Sequence, residues 1–278
     1  MQHDVCCIEQ MFHRLDILFR LIISRIQAFI MCEIRERRFS LEQRIAAQCA
    51  HFENLGLSRD SGKEVIDTIM KKCGFGEYEE DDGMFSEHLI LLGAISARGL
   101  AIKNVLEIGT FDGRTSIVLS ELFPHATITT IDIPPSDPAY FRNYEAARTS
   151  EFIQKRNSIL RRSNRVKFIE MNSVSLTVTS FNDAFDIIWV DGDHEFPVVG
   201  MDIANCVRLL RGGGFLLCDD VVHSNVSRYT PYLFDAAHRS LVALRGAGLI
   251  DEPTYVYKRL GKRHQPVSYT HLTLPTKA

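Results

Sequence analysis

Aspartates at the ends of two apolar runs are the residues of this chain best suited to chemistry. The run Trp189-Val190 leads into Asp191-Gly192-Asp193-His194, and the run Leu217-Cys218 leads into Asp219-Asp220-Val221. If both runs are parallel strands of one sheet, their carboxyl ends share an edge, and Asp191, Asp219 and Asp220 converge there. Three carboxylates share a site cheaply only when a cation offsets their repulsion. An oxygen-only donor set suits a hard divalent ion, Mg²⁺ first. Such an ion would hold a substrate hydroxyl and lower its pKa, and Asp193 or His194 would take the proton. The plainer reading of Asp219-Asp220 is capping after a strand, common for one Asp and less so for a doublet opposite a second acidic motif.

A glycine loop supplies the second constellation, Leu106-Glu107-Ile108-Gly109-Thr110-Phe111-Asp112-Gly113. Glycines let the backbone turn sharply and approach a ligand closely. A dinucleotide site would prefer GxGxxG, because the pyrophosphate sits on the helix N-terminus. Phe111 takes the middle glycine position here. Glu107 lies among apolar neighbours just before the loop, poor company for a pyrophosphate but suited to the ammonium of a methionine-type ligand. Asp132 ends the next apolar run, where an acid can accept from both ribose hydroxyls. That feature is shared by NAD and S-adenosylmethionine sites, and a turn residue before Pro134-Pro135 is its competing reading.

The elements that must position these residues alternate from Ala101 onward. Strands are expected at 105–108, 126–131, 166–170, 185–190, 214–218 and 253–258. Helices are expected at 115–122, 144–160, 198–210 and 231–245. Such alternation means a Rossmann-like, doubly wound α/β sheet, mostly parallel, with ligands beyond the carboxyl ends of its strands. Ahead of it, residues 33 to about 80 read as polar-faced helices, the acidic run Glu77–Gly83 as a solvated loop, and Ser86 as the N-cap of a helix from His88.

The chain of 278 residues is 45% hydrophobic and 24% charged with net charge −3, ordinary for a globular enzyme and no argument for nucleic acid. Its seven cysteines include no CxxC pair, so reduced thiols in a cytoplasmic protein are expected. Apolar positions from Ile8 to Ile30 recur at helical spacing, but Arg14, Asp16, Arg20 and Arg25 interrupt them, so no integral membrane span is expected. That stripe reads as a core-packed helix, a homodimer or membrane-surface helix, or non-native sequence if translation starts at Met31. The tail from Val267 to Lys277 looks like a translated sequencing adapter with no fold to contribute. The expected organisation is a helical extension over 1–82, the catalytic domain over 83–266 and an adapter-like tail over 267–278.

From roughly Met84 to Lys258 the sequence resembles class I S-adenosylmethionine-dependent methyltransferases. Leu106–Gly113 looks like their first motif, in the variant loop of catechol O-methyltransferases. That resemblance implies that Glu107, Gly109, Thr110 and Gly113 line the methionine end of the cofactor. It implies Asp132 at the ribose, Ser173 near the adenine, Asp191 beside the cofactor, and Met84 and Ser86 in a covering segment. The acidic cluster is similar to that of macrocin-type sugar O-methyltransferases. By that likeness Asp191, Asp219 and Asp220 hold a metal, and Asp193 is the base. The runs Gly83–Leu89 and Trp189–His194 are shared with family 24 methyltransferases.

The expected function is therefore metal-dependent O-methylation of a small hydroxylated molecule (a sugar, polyketide or catechol-like compound), with S-adenosylmethionine and Mg²⁺ as cofactors. Metal-free N- or C-methylation, an NAD-dependent dehydrogenase and a non-catalytic binding module are the alternatives. His223 and Tyr229 are further candidates to line the pocket. Because the fold class usually ends in an antiparallel hairpin, the adapter-like tail leads us to expect the final antiparallel strand to be missing, with an exposed sheet edge.

Overall fold

The computed structural model describes residues 40–79, 86–140, 149–181, 184–222, 235–258, 260 and 268–273, together with positions 23, 26 and 30. Met84, His223, Tyr229, most of the N-terminal stripe, and the first turns of the helices expected from 144 and 231 lie outside the described residues.

The extension is helical, as expected. Leu41–Asn54 (α1) opens on a capping box, Ser40 Oγ accepting from the Gln43 N–H at 3.2 Å and Gln43 Oε1 from the Ser40 N–H at 2.9 Å. Arg59–Lys72 (α2) is capped by Ser58. Glu87–Ala97 (α3) is buried from Glu87 to Ile95. A helix apolar on all sides belongs inside, and α3 lies between α2 and the sheet within one core. Ser86 stands at its N-cap, but its hydroxyl meets the His88 ring instead of a backbone N–H.

Strand and helix then alternate: Asn104–Ile108 (β1), Arg114–Leu122 (α4), Thr127–Asp132 (β2), Thr149–Leu160 (α5), Val166–Glu170 (β3), a 3₁₀ turn at Ser173–Val178, Phe185–Val190 (β4), Val198–Leu209 (α6), Leu210–Val222 (β5), Ala236–Gly246 (α7), Thr254–Tyr257 (β6) and Ser268–Thr273 (β7). The seven strands run β3-β2-β1-β4-β5-β7-β6. The first five are parallel. The chain steps outward from β1 to β3 and returns to β4 beside β1, and this reversal opens a crevice at the carboxyl ends of β1 and β4.

Side-chain alternation divides the core. Val105, Ile187, Trp189 and Leu217 face the N-terminal helices and α4. Leu106, Ile108, Ile188, Val190 and Leu216 face α6 and α7. Glu107, two residues from Val105 and level with Trp189, shares the first face.

The expected gap at the end of the sheet is not found. Ser268–Thr273 pairs antiparallel with both β5 and β6. The physical reason is that β5 and β6 offer unpaired N–H and C=O groups on either side of one slot, and the tail segment Ser-Tyr-Thr-His-Leu-Thr is rich in residues that suit a strand. The segment expected to lack a fold thus fills the sheet and supplies the antiparallel strand expected to be missing. No helix among the described residues is long and apolar enough to cross a membrane.

Candidate active site

The loop after β1 is folded around contacts that only glycine permits. Gly109 follows β1 at φ +96°, and a Cβ there would lie 2.1 Å from the Asp191 carbonyl oxygen. The Asp191 N–H donates to the Ile108 carbonyl at 2.8 Å, so the loops after β1 and β4 touch. Thr110 is buried, its hydroxyl 2.6 Å from that of Thr130. Phe111 stands half-exposed at φ 47°, and its N–H donates to Asp132 Oδ2 at 3.0 Å. Asp132 Oδ1 accepts the Ile133 N–H at 2.9 Å, which fixes the carboxylate at the end of β2. Gly113, at φ 81°, starts α4 without a side-chain cap.

Glu107 is fully buried on β1. Its Oε2 accepts hydrogen bonds from Thr130 Oγ1, at 2.6 Å, and from Ser116 Oγ. Oε1 is buried with no hydrogen-bond partner among the described residues. Burial pushes the carboxyl up to about 7, against the two hydroxyl donors, with Asp132 and Asp112 adding to the rise. An uncompensated buried carboxylate is costly; one that meets a cationic ligand is not.

The acidic edge holds more than aspartates. In a regular strand neighbouring side chains point apart, yet Asp219 and Asp220 meet the same group. The register of β5 against β7 slips between Cys218 and Val221, and Asp220 adopts φ 48°, a left-handed backbone that Asp tolerates better than most residues. Lys258, just past β6, places its Nζ 2.6 Å from Asp219 Oδ2 and 2.7 Å from Asp220 Oδ1. His194 Nε2 sits 3.5 Å from Asp220 Oδ2 and 3.9 Å from Asp191 Oδ1. His88 stacks on Trp189 at 4.7 Å beneath them.

These contacts set the charges. Burial would raise Asp219, but the Lys258 ammonium and then His88 outweigh it and hold the carboxyl well below the usual range. Burial likewise opposes charge on Lys258, yet Asp219 and Asp220 hold it above an ordinary lysine. Asp191 moves the other way, raised by desolvation and by the Asp219 charge.

As placed, the acidic residues do not form a cage for Mg²⁺. Two of the three expected ligands close on Lys258, and no group of three His, Cys, Asp or Glu among the described residues comes together to hold a metal ion. Asp219 Oδ1 is buried without a hydrogen-bond partner among the described residues, but it is a single atom. Carboxylates this close require a cation beside them, and the chain supplies one of its own in Lys258.

Of the expected site residues, Glu107, Gly109, Thr110, Gly113, Asp132 and Asp191 surround the crevice, and Asp219 and Asp220 stand beside it. Asp193 does not join them: it is exposed, and its Oδ1 accepts the Glu195 N–H at 2.7 Å. Ser173 opens the 3₁₀ turn after β3. Lys258, His88, Ser116 and Thr130 were not singled out from the sequence. Only Lys258 carried a signal, a lysine ending an apolar run.

Ser173 faces a further acid, Asp202 on α6, which is buried and pushed up to about 6 by burial first and by Asp193, with Ser173 opposing. A carboxyl raised in the fold binds protons more tightly than in the unfolded chain, so it costs stability as pH rises from about 4 through 6. Asp202→Asn is expected to add about 3 kcal/mol at pH 8 and almost nothing at pH 4. Urea melts at the two pH values test this; an equal effect at both would rule it out.

The fold defines a class. The parallel sheet with its flanking helices is the Rossmann-like methyltransferase fold. Residues 106–221, from the loop after β1 through the acidic pair, match the family model described as a methyltransferase domain. Among solved structures the chain is similar to the O-methyltransferase TomG from Streptomyces achromogenes, at 18% identity and TM-score 0.52, covering 82% of this chain and 96% of that one. It is also similar to an O-methyltransferase from Bacillus cereus, at 16% identity and TM-score 0.49, covering 76% of this chain and 90% of that one. No curated protein matches its sequence.

Proposed function

We propose that this chain is a class I S-adenosylmethionine-dependent methyltransferase that acts on a hydroxyl oxygen of a small molecule, a sugar, polyketide or catechol-like compound, with His194 as the base. The observation that carries the proposal is the His194 imidazole, 3.5 Å from Asp220 and 3.9 Å from Asp191, beside the loop that touches Gly109. Glu107 Oε1 would face the cofactor's ammonium, directly or through water. Gly109, Thr110 and Gly113 would let its methionine end approach the backbone, Asp132 would hold the ribose, and Ser173 would stand near the adenine. Bound S-adenosylmethionine supplies a methyl group activated by its sulfonium. The His194 imidazole takes the acceptor's proton at Nε2, with Asp220 3.5 Å from that nitrogen. Asp193, named as base by resemblance, is turned to the Glu195 N–H and would have to swing inward to serve.

The metal-dependent form of the reaction is the second reading. Its support is the all-oxygen donor set and the orphaned Oδ1 of Asp219, and it requires Asp219 and Asp220 to leave Lys258.

Incubation with labelled S-adenosylmethionine and a panel of hydroxylated acceptors, matched by amines, tests the proposal. Methyl ethers are the expected products, identified by mass spectrometry and NMR. Products methylated only on nitrogen or carbon would overturn it. The same incubations with EDTA, and with Mg²⁺ restored, separate the two readings.

A further inference from the structure

We infer that Lys258 is the resident cation of the acidic edge and excludes a divalent metal from Asp219 and Asp220. A divalent ion bound by both carboxylates must lie between them, about 2.0–2.1 Å from each oxygen for Mg²⁺. The Lys258 Nζ already lies between them, 2.6 Å from Asp219 Oδ2 and 2.7 Å from Asp220 Oδ1. Metal and ammonium cannot share that point. The backbone is shaped for the ammonium, since the slip in β5 and the left-handed Asp220 bring two successive carboxylates onto one atom.

The position of Lys258 is built rather than incidental. Its carbonyl accepts the Glu87 N–H at 3.0 Å. Gln48 clamps the preceding residue, its Oε1 accepting the Tyr257 N–H at 3.1 Å and its Nε2 donating to the Tyr257 carbonyl at 2.8 Å. Gln48 Nε2 also donates to Glu87 Oε2 at 3.0 Å, and Arg59 grips both oxygens of Glu87 at 2.9 and 2.5 Å. Gln48 and Glu87 are fully buried and Arg59 nearly so. A buried charged pair left half-made is costly, so this network holds the end of β6 firmly. The lysine side chain is 12% exposed, and an incoming metal would have to expel it into water while shedding its own hydration shell. The helical extension thereby serves the site: α1, α2 and the first turn of α3 fix the residue that neutralises the acidic pair.

The inference rests on the methyltransferase reading only for its consequence, transfer without a metal. Its test needs no substrate. Mn²⁺ is titrated into the full chain and the free ion is followed by electron paramagnetic resonance, for wild type, Asp219→Asn, Lys258→Met and the double variant Lys258→Met/Asp219→Asn. Wild type is expected to bind no more Mn²⁺ than Asp219→Asn. Lys258→Met, which leaves the carboxylates uncompensated, is expected to bind Mn²⁺ about tenfold more tightly or better, equivalent to about 1.4 kcal/mol, and the double variant is expected to lose that gain. One equivalent bound by wild type and abolished by Asp219→Asn would overturn the inference. So would a Lys258→Met protein with native circular dichroism and no gain. If Lys258→Met does not fold, the comparison of wild type with Asp219→Asn decides alone. Failure to find methyl ethers would leave these results unchanged, so the two proposals fail separately.

Discussion

Replacing His194 with Ala is expected to lower kcat by about 10²–10⁴-fold, the range of a positioned general base, with cofactor affinity unchanged. Asp193→Asn is expected to lose far less. The contrast follows from placement. His194 is the only one of the two whose side chain reaches Asp191 and Asp220, whereas Asp193 is exposed and engaged with the Glu195 N–H. An aspartate in that turn can be replaced by Asn with the acceptor oxygen retained. A structural role for His194 would also reduce activity, so the decisive readout is chemical rescue. Imidazole added to His194→Ala should restore turnover in proportion to its concentration if the missing group is a base. No rescue, together with a deep loss in Asp193→Asn, would return the base role to Asp193.

The second large effect concerns Glu107, where function and stability are expected to oppose each other. Its carboxyl is raised from 4.5 to about 7 by burial. The folded state therefore holds a proton that the unfolded chain has released, and stability falls as pH rises from about 4.5 to 7. Above pH 7 the cost is about 3 kcal/mol, at 1.36 kcal/mol per pKa unit. Glu107→Gln removes the ionisation and keeps an acceptor for Ser116 and Thr130. It is expected to raise the melting temperature by several degrees at pH 8 and hardly at all at pH 4. The same substitution removes the proposed partner of the cofactor's ammonium, and affinity for S-adenosylhomocysteine should drop about 10–100-fold, the worth of a charge-assisted hydrogen bond. Wild-type affinity should rise with pH up to about 7 and then level, because the cation prefers the ionised carboxylate; the Gln variant should be flat. Calorimetric titrations across pH check this. A variant that binds as tightly as wild type would remove Glu107 from the cofactor site.

Sequence alone was enough for the sheet and for the edge on which the candidate site lies. Apolar runs of strand length alternating with amphipathic stretches define β1 to β5 and their helices, because side-chain periodicity is local and survives without tertiary context. Gly109 and Gly113 were legible for the same reason, and parallel strands necessarily bring Asp191 and Asp219 to one edge. The order of the last strands was not legible. Ser268–Thr273 entered the sheet because a slot of unpaired backbone between β5 and β6 accepts a compatible segment whatever its origin.

Charge compensation was the other part out of reach. The sequence demanded a cation near the aspartates, but a spacing rule cannot say whether it comes from solution or from a lysine 39 residues away. That was decided by a slipped register at Cys218–Val221, a left-handed Asp220 and a buried clamp from Gln48 and Glu87. Local pattern determined which carboxylates stand together at the strand ends. Only the packing of distant elements decided which way each one points and what neutralises it, because charges in a low-dielectric edge respond to whatever the fold places within a few ångströms.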